Sequence, residues 1–155
     1  MELSYKAITK DNLAEAIKAQ QDIFLEDNFI AAYTMEVVPH IDSKKYYLVY
    51  DEDKLVGITG LYVYTDYPDD AWLGWFGVMS DQRHKGYGEQ ILRDTIILAK
   101  NIGFKYIRLY IDPVENKAAC NLYEKLRFIR EAYTAEDFKC TIYSLQIKTM
   151  PYFTL

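Results

Sequence analysis

The sequence predicts an α/β fold, with a mixed central sheet of about six to seven strands flanked by helices. Three observations carry that prediction. β-rich runs and helical stripes alternate along the chain in the order β-α-α-β-β-β-α-β-α-β-β. Tyr46 to Tyr50 and Leu55 to Tyr64 are β-rich runs joined by a short polar connection, the pattern of an antiparallel hairpin. From Trp72 to Ile111 a strand, a glycine loop, a helix and a second strand form a β-α-β unit, whose default is a parallel pair with a right-handed crossover.

Leu3 to Ile8 alternates apolar and polar residues, as a first strand does. Thr9 or Asp11 caps the following helix, whose apolar stripe is Leu13, Ala16, Ile17, Ile23 and Phe24. Asp27-Asn28 interrupts it, and Phe29 to Met35 reads as a second short helix. Pro39 and His40-Ile41-Asp42-Ser43 mark a loop before the hairpin. Asp51-Glu52-Asp53-Lys54 is the hairpin's turn. Gly57 and Gly60 weaken its second strand or mark a bulge or a close backbone approach. Asp66 to Asp70, with Pro68, is a loop.

Trp72 to Met79 is a nearly all-apolar run that reads as one strand. Ser80 to Lys85 is a polar turn, Gly86-Tyr87-Gly88 follows, and a helical pattern then runs to Ile102, with Gly103 ending it. Tyr106 to Ile111 is a strand stopped by Pro113. Asn116 to Leu126 is a helix with Ala119, Leu122, Tyr123 and Leu126 on one face. Phe128 to Thr134 and Thr141 to Ile147 form a last pair of strands, and the tail from Lys148 shows no pattern. No repeat or linker divides the chain, so residues 1–155 read as a single domain.

Composition narrows the function. With 50% hydrophobic and 26% charged residues the chain is globular, not disordered. A net charge of −5 and the lack of a long basic run argue against a nucleic-acid partner. Arg83, His84 and Lys85 nevertheless concentrate basic character inside the glycine loop, which suits one small anionic ligand. Cys120 and Cys140 read as reduced thiols, and neither a disulfide framework nor a metal set is apparent. No signal peptide or bilayer-length apolar run is visible, so a cytoplasmic protein without a membrane partner is expected, as monomer or homodimer.

The loop has a physical logic. A helix N-terminus presents unpaired N–H groups and partial positive charge, and a phosphate satisfies both. Gly86 and Gly88 let the backbone turn and approach an anion closely. A P-loop needs Gly-Lys-Ser/Thr, which is absent, so a nucleotide switch is disfavoured. The dinucleotide fingerprint needs three spaced glycines and is only partly met. What is present is Arg83-x-x-Gly86-x-Gly88 after Val78, and downstream Asn116-Lys117-Ala118-Ala119-Cys120-Asn121-Leu122-Tyr123-Glu124-Lys125-Leu126-Arg127-Phe128. The first resembles the Gln/Arg-x-x-Gly-x-Gly/Ala signature of the Gcn5-related N-acetyltransferase (GNAT) family. The second is similar to that family's Asn, small residue, Leu-Tyr-Glu-Lys, Gly-Phe segment.

The resemblance implies the acyl-CoA N-acyltransferase fold, with a splayed parallel pair at the site of acetyl-CoA, the co-substrate. Main-chain groups of Phe76, Gly77 and Val78 would pair with the pantetheine arm. Gly74 and Gly77 either ease the strand's irregularity or pack tightly under a helix. Pyrophosphate contacts fall on the N–H groups of His84, Lys85, Gly86, Tyr87, Gly88 and Glu89, with Arg83 adding charge. Asn116 reaches the coenzyme, caps its helix, or does both. Tyr123 is the expected proton donor to the leaving thiolate, with weaker claims for Tyr87 and Tyr110, and a main-chain N–H near Val78 the oxyanion contact. Many relatives carry a basic Glu on the central strand, but Ala71 to Val78 holds no acid. Asp70, Asp69 and Glu36 are the candidate bases, or else solvated surface charges. Arg127 stands where relatives have Gly, at a cost of roughly 1 kcal/mol if the left-handed conformation is kept.

The implied activity is transfer of acetyl from acetyl-CoA to a primary amine by direct attack in a ternary complex. The acceptor is a small-molecule or peptide amine, with Trp72, Trp75, Tyr33 and Tyr64 as candidate wall residues. The alternative is a non-catalytic acyl-CoA-binding sensor or interaction module.

Overall fold

The computed structural model describes residues 1–24, 38–131 and 140–147. Its strands are β1 (Ser4–Ala7), β2 (Ile41–Asp51), β3 (Lys54–Tyr64), β4 (Asp70–Leu73), β5 (Gly77–Val78), β6 (Tyr106–Ile111), β7 (Ile129–Glu131) and β8 (Thr141–Gln146). Its α-helices are α1 (Leu13–Phe24), α2 (Tyr87–Ile102) and α3 (Lys117–Lys125). The strands form one 8-stranded sheet in the order β1-β2-β3-β4-β6-β8-β7, with β5 paired to β3 beside that path. β4 and β6 pair in parallel and the other pairs are antiparallel, so the sheet is mixed as the sequence predicts.

The strand count exceeds the expected six to seven for a local reason. The apolar run from Trp72 to Met79 does not form one strand: β4 ends at Leu73, β5 begins at Gly77, and Trp75 between them has φ 53°. A left-handed residue cannot continue an extended ladder. A second difference lies at the hairpin. Ile41 to Ser43 belong to β2 rather than to a loop, with Ile41 opposite Tyr64 and Ser43 opposite Val63. Asp42 and Ser43 are exposed, so their polarity is compatible with strand. The predicted helix Phe29 to Met35 lies outside the described residues.

Alternation along β2 decides which helix covers which face. Val49 packs with Val56 and with Tyr87 and Ile91 of α2, whereas Leu48 and Tyr50 pack with Ala16 and Ala19 of α1. Successive strand residues point to opposite faces, so α1 and α2 lie on opposite sides of the sheet. The largest cluster joins Ala71, Leu73, Ile107 and Leu109 of the sheet to Leu92 of α2 and to Cys120 and Tyr123 of α3. Each fully buried side chain of the Leu or Ile class contributes about 1.5–3 kcal/mol. The parallel pair thus lies under two helices, and the candidate site is built around its far end.

Candidate functional site

The site begins where the parallel pair stops. Asp70, Ala71 and Trp72 pair with Tyr106, Ile107 and Arg108. The chain then leaves β6: Gly74 N–H donates to Gly60 O at 3.0 Å, and Gly77 and Val78 pair with Ile58 and Gly57 of β3. A cleft of about 890 Å³ opens, with Phe76, Gly77 and Val78 lining one side and Leu109, Tyr110 and Ile111 the other. That volume suits a cofactor-sized ligand. The end of α1 braces the bend. Phe24 meets Trp75 edge-on, with ring centroids 5.1 Å apart, and a Cβ on Gly77 would stand 2.3 Å from Ile23 Cγ2. Of the two roles open to Gly77, the structure shows tight packing under a helix.

The glycine loop approaches this cleft. A 3-10 turn, Ser80–Gln82, leads to Arg83, His84 (φ 63°) and Gly86 (φ 87°), and α2 starts at Tyr87. Gln90 N–H donates to Gly86 O at 3.3 Å, the first bond of the helix. The N–H groups of Tyr87, Gly88 and Glu89 therefore precede any intrahelical acceptor, and Gly86 offers no side chain to cap them. This leaves a helix N-terminus with donors to spare. Arg83, His84, Gly86, Tyr87 and Gly88 line the cleft. Lys85 and Glu89 do not: Lys85 Nζ donates to Gln82 Oε1 at 3.1 Å, and Glu89 pairs with Arg93 at 3.3 Å and with Lys125. Lys125 and Arg93 hold the Glu89 carboxyl below the usual carboxylate range.

Helix α3 supplies the next residues. Asn116 precedes its first turn and lines the cleft, but its side chain makes no cap. Its Nδ2 instead donates to Asp112 O at 3.0 Å. Tyr123 also lines the cleft and is 5% exposed. Its ring lies among Phe128 at 5.6 Å, Tyr143 at 5.7 Å and Phe76 at 6.3 Å. Burial, with a smaller contribution from Cys120, pushes its phenol well above the ordinary tyrosine range, so it keeps its proton. Past α3 the chain turns through Arg127 at φ 70°, with Phe128 N–H donating to Tyr123 O at 3.0 Å. The left-handed ending is thus kept despite the arginine.

The candidate bases are dispersed. Asp70 accepts from Arg108 Nε at 3.0 Å, and Arg108 also engages Ser144 Oγ at 2.7 Å and Glu131 at 3.3 Å. Asp69 pairs with Lys105 at 3.3 Å. Neither lines the cleft, and Glu36 and Tyr33 lie outside the described residues. Of the candidate wall residues, Trp75 lines the cleft, while Trp72 and Tyr64 belong to an aromatic stack beside it. Trp72 stacks on Tyr110 at 4.5 Å and on Tyr62 at 6.4 Å, with Tyr64 edge-on at 5.5 Å. Tyr110 both lines the cleft and ends this stack, and Trp75 lines the cleft together with Phe24, on which it packs.

Sequence reasoning missed Gln82, Asp112, Glu115, Lys117 and Cys140 among the lining residues. Lys117 was signalled by its place beside Asn116 at a helix start. Cys140 had no local signal, because its position follows from the pairing of β8 with β6. Among the described residues no group of three or more His, Cys, Asp or Glu is placed to hold a metal, and no helix is long and apolar enough to cross a membrane.

Comparison with known proteins agrees with this fold. The model of the Acetyltransferase (GNAT) family matches residues 11–128. No curated protein sequence matches the chain. Among solved structures, the ribosomal-protein-S18-alanine N-acetyltransferase from Escherichia coli is similar at TM-score 0.72 and 19% identity, covering 94% of each chain. Spermidine N-acetyltransferase from Vibrio cholerae, in complex with CoA and spermine, is similar at TM-score 0.73 and 16% identity, covering 93% of this chain and 95% of its own. A GNAT-family acetyltransferase from Streptococcus pneumoniae follows at TM-score 0.69 and 17% identity, covering 94% and 100%.

Proposed function

Because the chain belongs to the GNAT acetyltransferase family, we propose that it moves an acetyl group from acetyl-CoA directly onto a primary amine, both substrates being bound together. Family membership makes it an acyltransferase with acetyl-CoA as co-substrate. The observation that carries the finer reading is the split between β5 and β6, running up to the uncapped N-terminus of α2.

The residues fit the co-substrate part by part. The apolar slot between Phe76–Val78 and Leu109–Ile111 takes the pantetheine arm, with main-chain groups of β5 available along it. The N–H groups of Tyr87, Gly88 and Glu89, with Arg83 and His84 beside them, receive the pyrophosphate. Lys85 and Glu89 contribute their main chain only, since their side chains are engaged elsewhere. Asn116 holds the chain between β6 and α3 at the cleft through Asp112.

The chemistry follows from this placement. Attack by a neutral amine on the thioester carbon places negative charge on the carbonyl oxygen, and a main-chain N–H near Val78 stabilises it. The C–S bond then breaks, and the thiolate takes the proton that Tyr123 retains. Asp69 and Asp70 are each engaged by a cation, so the described residues favour loss of the amine's proton to water. The acceptor approaches over the aromatic stack that ends at Tyr110. The E. coli and V. cholerae neighbours act on a protein alanine and on spermidine, and both acceptors are amines.

Thiol release from acetyl-CoA across a panel of amines tests the activity. The second reading, an acyl-CoA-binding module without transfer, draws on the lack of an acid from Ala71 to Val78 and predicts binding with no release. Coenzyme A at one hundred times its dissociation constant should stabilise the fold by about 2.7 kcal/mol. No thermal shift at saturation would sink both readings.

A further inference from the structure

Two carboxylates from outside the glycine loop grip it at its two ends. At the front, Asp22 in the last turn of α1 accepts from Ser80 twice, from the main-chain N–H at 2.7 Å and from the hydroxyl at 2.5 Å. At the back, Asp51, the last residue of β2, accepts from the Tyr87 hydroxyl at 2.6 Å. Ser80 opens the 3-10 turn that leads to Arg83, and Tyr87 is the first residue of α2. Arg83, His84 and Gly86 lie between these anchors and line the cleft, whereas neither aspartate lines it.

Ordering one residue's backbone costs roughly 1–2 kcal/mol of conformational entropy. A loop held in place before its ligand arrives spares the ligand that cost. Within the loop the side-chain ties are slight: Lys85 to Gln82 at 3.1 Å and Arg83 Nε to Val78 O at 3.4 Å. The two external grips are shorter and use charged acceptors, which bind a donor about twice as strongly as neutral ones. The hydrogen bonds from Ser80 hold the Asp22 carboxyl below its ordinary range, so its charged form extends further towards acid pH.

We propose that Asp22 and Asp51 are positioning residues for acetyl-CoA, holding the loop in the shape that receives the pyrophosphate without touching it. The inference rests on the reading that this loop binds that pyrophosphate. Electrostatics argues for a geometric role. A carboxylate near an anion site repels the anion, so if charge alone mattered, removing either aspartate would tighten binding. Geometry predicts the opposite. The front grip also belongs to the helix that braces the bend at Trp75 and Gly77, so one element supports both the loop and the strand beside the thioester.

Titration calorimetry on the full chain tests this, with coenzyme A and with pantetheine, which has the arm but no pyrophosphate. Asp22→Ala and Asp51→Ala should each weaken coenzyme A binding about fivefold to tenfold and leave pantetheine unchanged. Tyr87→Phe should match Asp51→Ala, and combining the two should add nothing, because they remove the same bond. Ser80→Ala and Tyr87→Phe keep the assay decisive if an alanine variant at an aspartate does not fold. Coenzyme A affinity that is unchanged or tighter overturns the proposal, as does an equal loss for pantetheine. Wild-type protein that binds no coenzyme A would instead overturn the functional reading beneath it.

Discussion

Gly77 and Ile23 are in such close approach that no side chain fits between them: a Cβ on Gly77 would lie 2.3 Å from Ile23 Cγ2 and 3.2 Å from Phe24 Cζ. Gly77→Ala therefore pushes α1 off β5 or shifts β5 itself. Overpacking of this kind costs about 1–3 kcal/mol. Chemical denaturation should show that loss, and Ile23→Ala in the same chain should recover part of it. Additive losses in the double variant would mean that the two residues do not share the clash.

The loop's two glycines should behave differently. Gly86 sits at φ 87°, so Gly86→Ala costs about 1–2 kcal/mol through backbone strain although nothing crowds the position. At Gly88 a Cβ would meet Val78 Cγ2 at 3.6 Å and Leu122 Cδ2 at 3.9 Å, ordinary contact distances. Gly88→Ala should thus keep both stability and coenzyme A affinity, in keeping with a signature that accepts Gly or Ala there. A thermal melt with and without coenzyme A separates the two variants. Equal losses would place the constraint in the ligand's approach rather than in the backbone.

Arg127 holds the left-handed turn after α3 at φ 70°. Its amide donates to Glu124 O at 3.0 Å, and that of Phe128 to Tyr123 O at 3.0 Å, so the turn anchors the end of the helix that carries Tyr123. Arg127→Gly relieves the strain and should raise stability by about 1 kcal/mol in urea unfolding. A loss of stability would mean that the Arg127 side chain makes a contribution larger than its strain.

Local pattern accounts for what was legible in the chain. The alternation of strands and helices among the described residues, the β6 boundaries and the glycine loop all rest on residues adjacent in sequence, such as Gly86-Tyr87-Gly88 between an apolar run and a helical stripe. The bend at Trp75 was not legible, because the contacts around it, Phe24 on Trp75 and Ile23 against Gly77, come from a helix distant in sequence. For the same reason Asp70 read as a free candidate base. Its engagement by Arg108 arises only once β4 and β6 lie side by side. Asp22 and Asp51 carried no signal, since each meets its loop partner through the tertiary fold alone.

Tyr123 allows the sharpest test of the chemistry. It is 5% exposed and lines the cleft, and burial raises its phenol above the ordinary range near about 10. The acid form is the one required, so activity should not decline as pH passes through that ordinary range. The sign for stability follows from the same shift. The folded state holds the proton more tightly than the unfolded chain, so this contribution is complete below the unfolded value and is lost as pH rises above it. Tyr123→Phe keeps the ring among Phe76, Phe128 and Tyr143 and removes only the hydroxyl. It should therefore lower kcat by about 10²–10⁴-fold with little change in KM for acetyl-CoA. If kcat survives and only KM rises, the hydroxyl binds the co-substrate and the thiolate takes its proton from water.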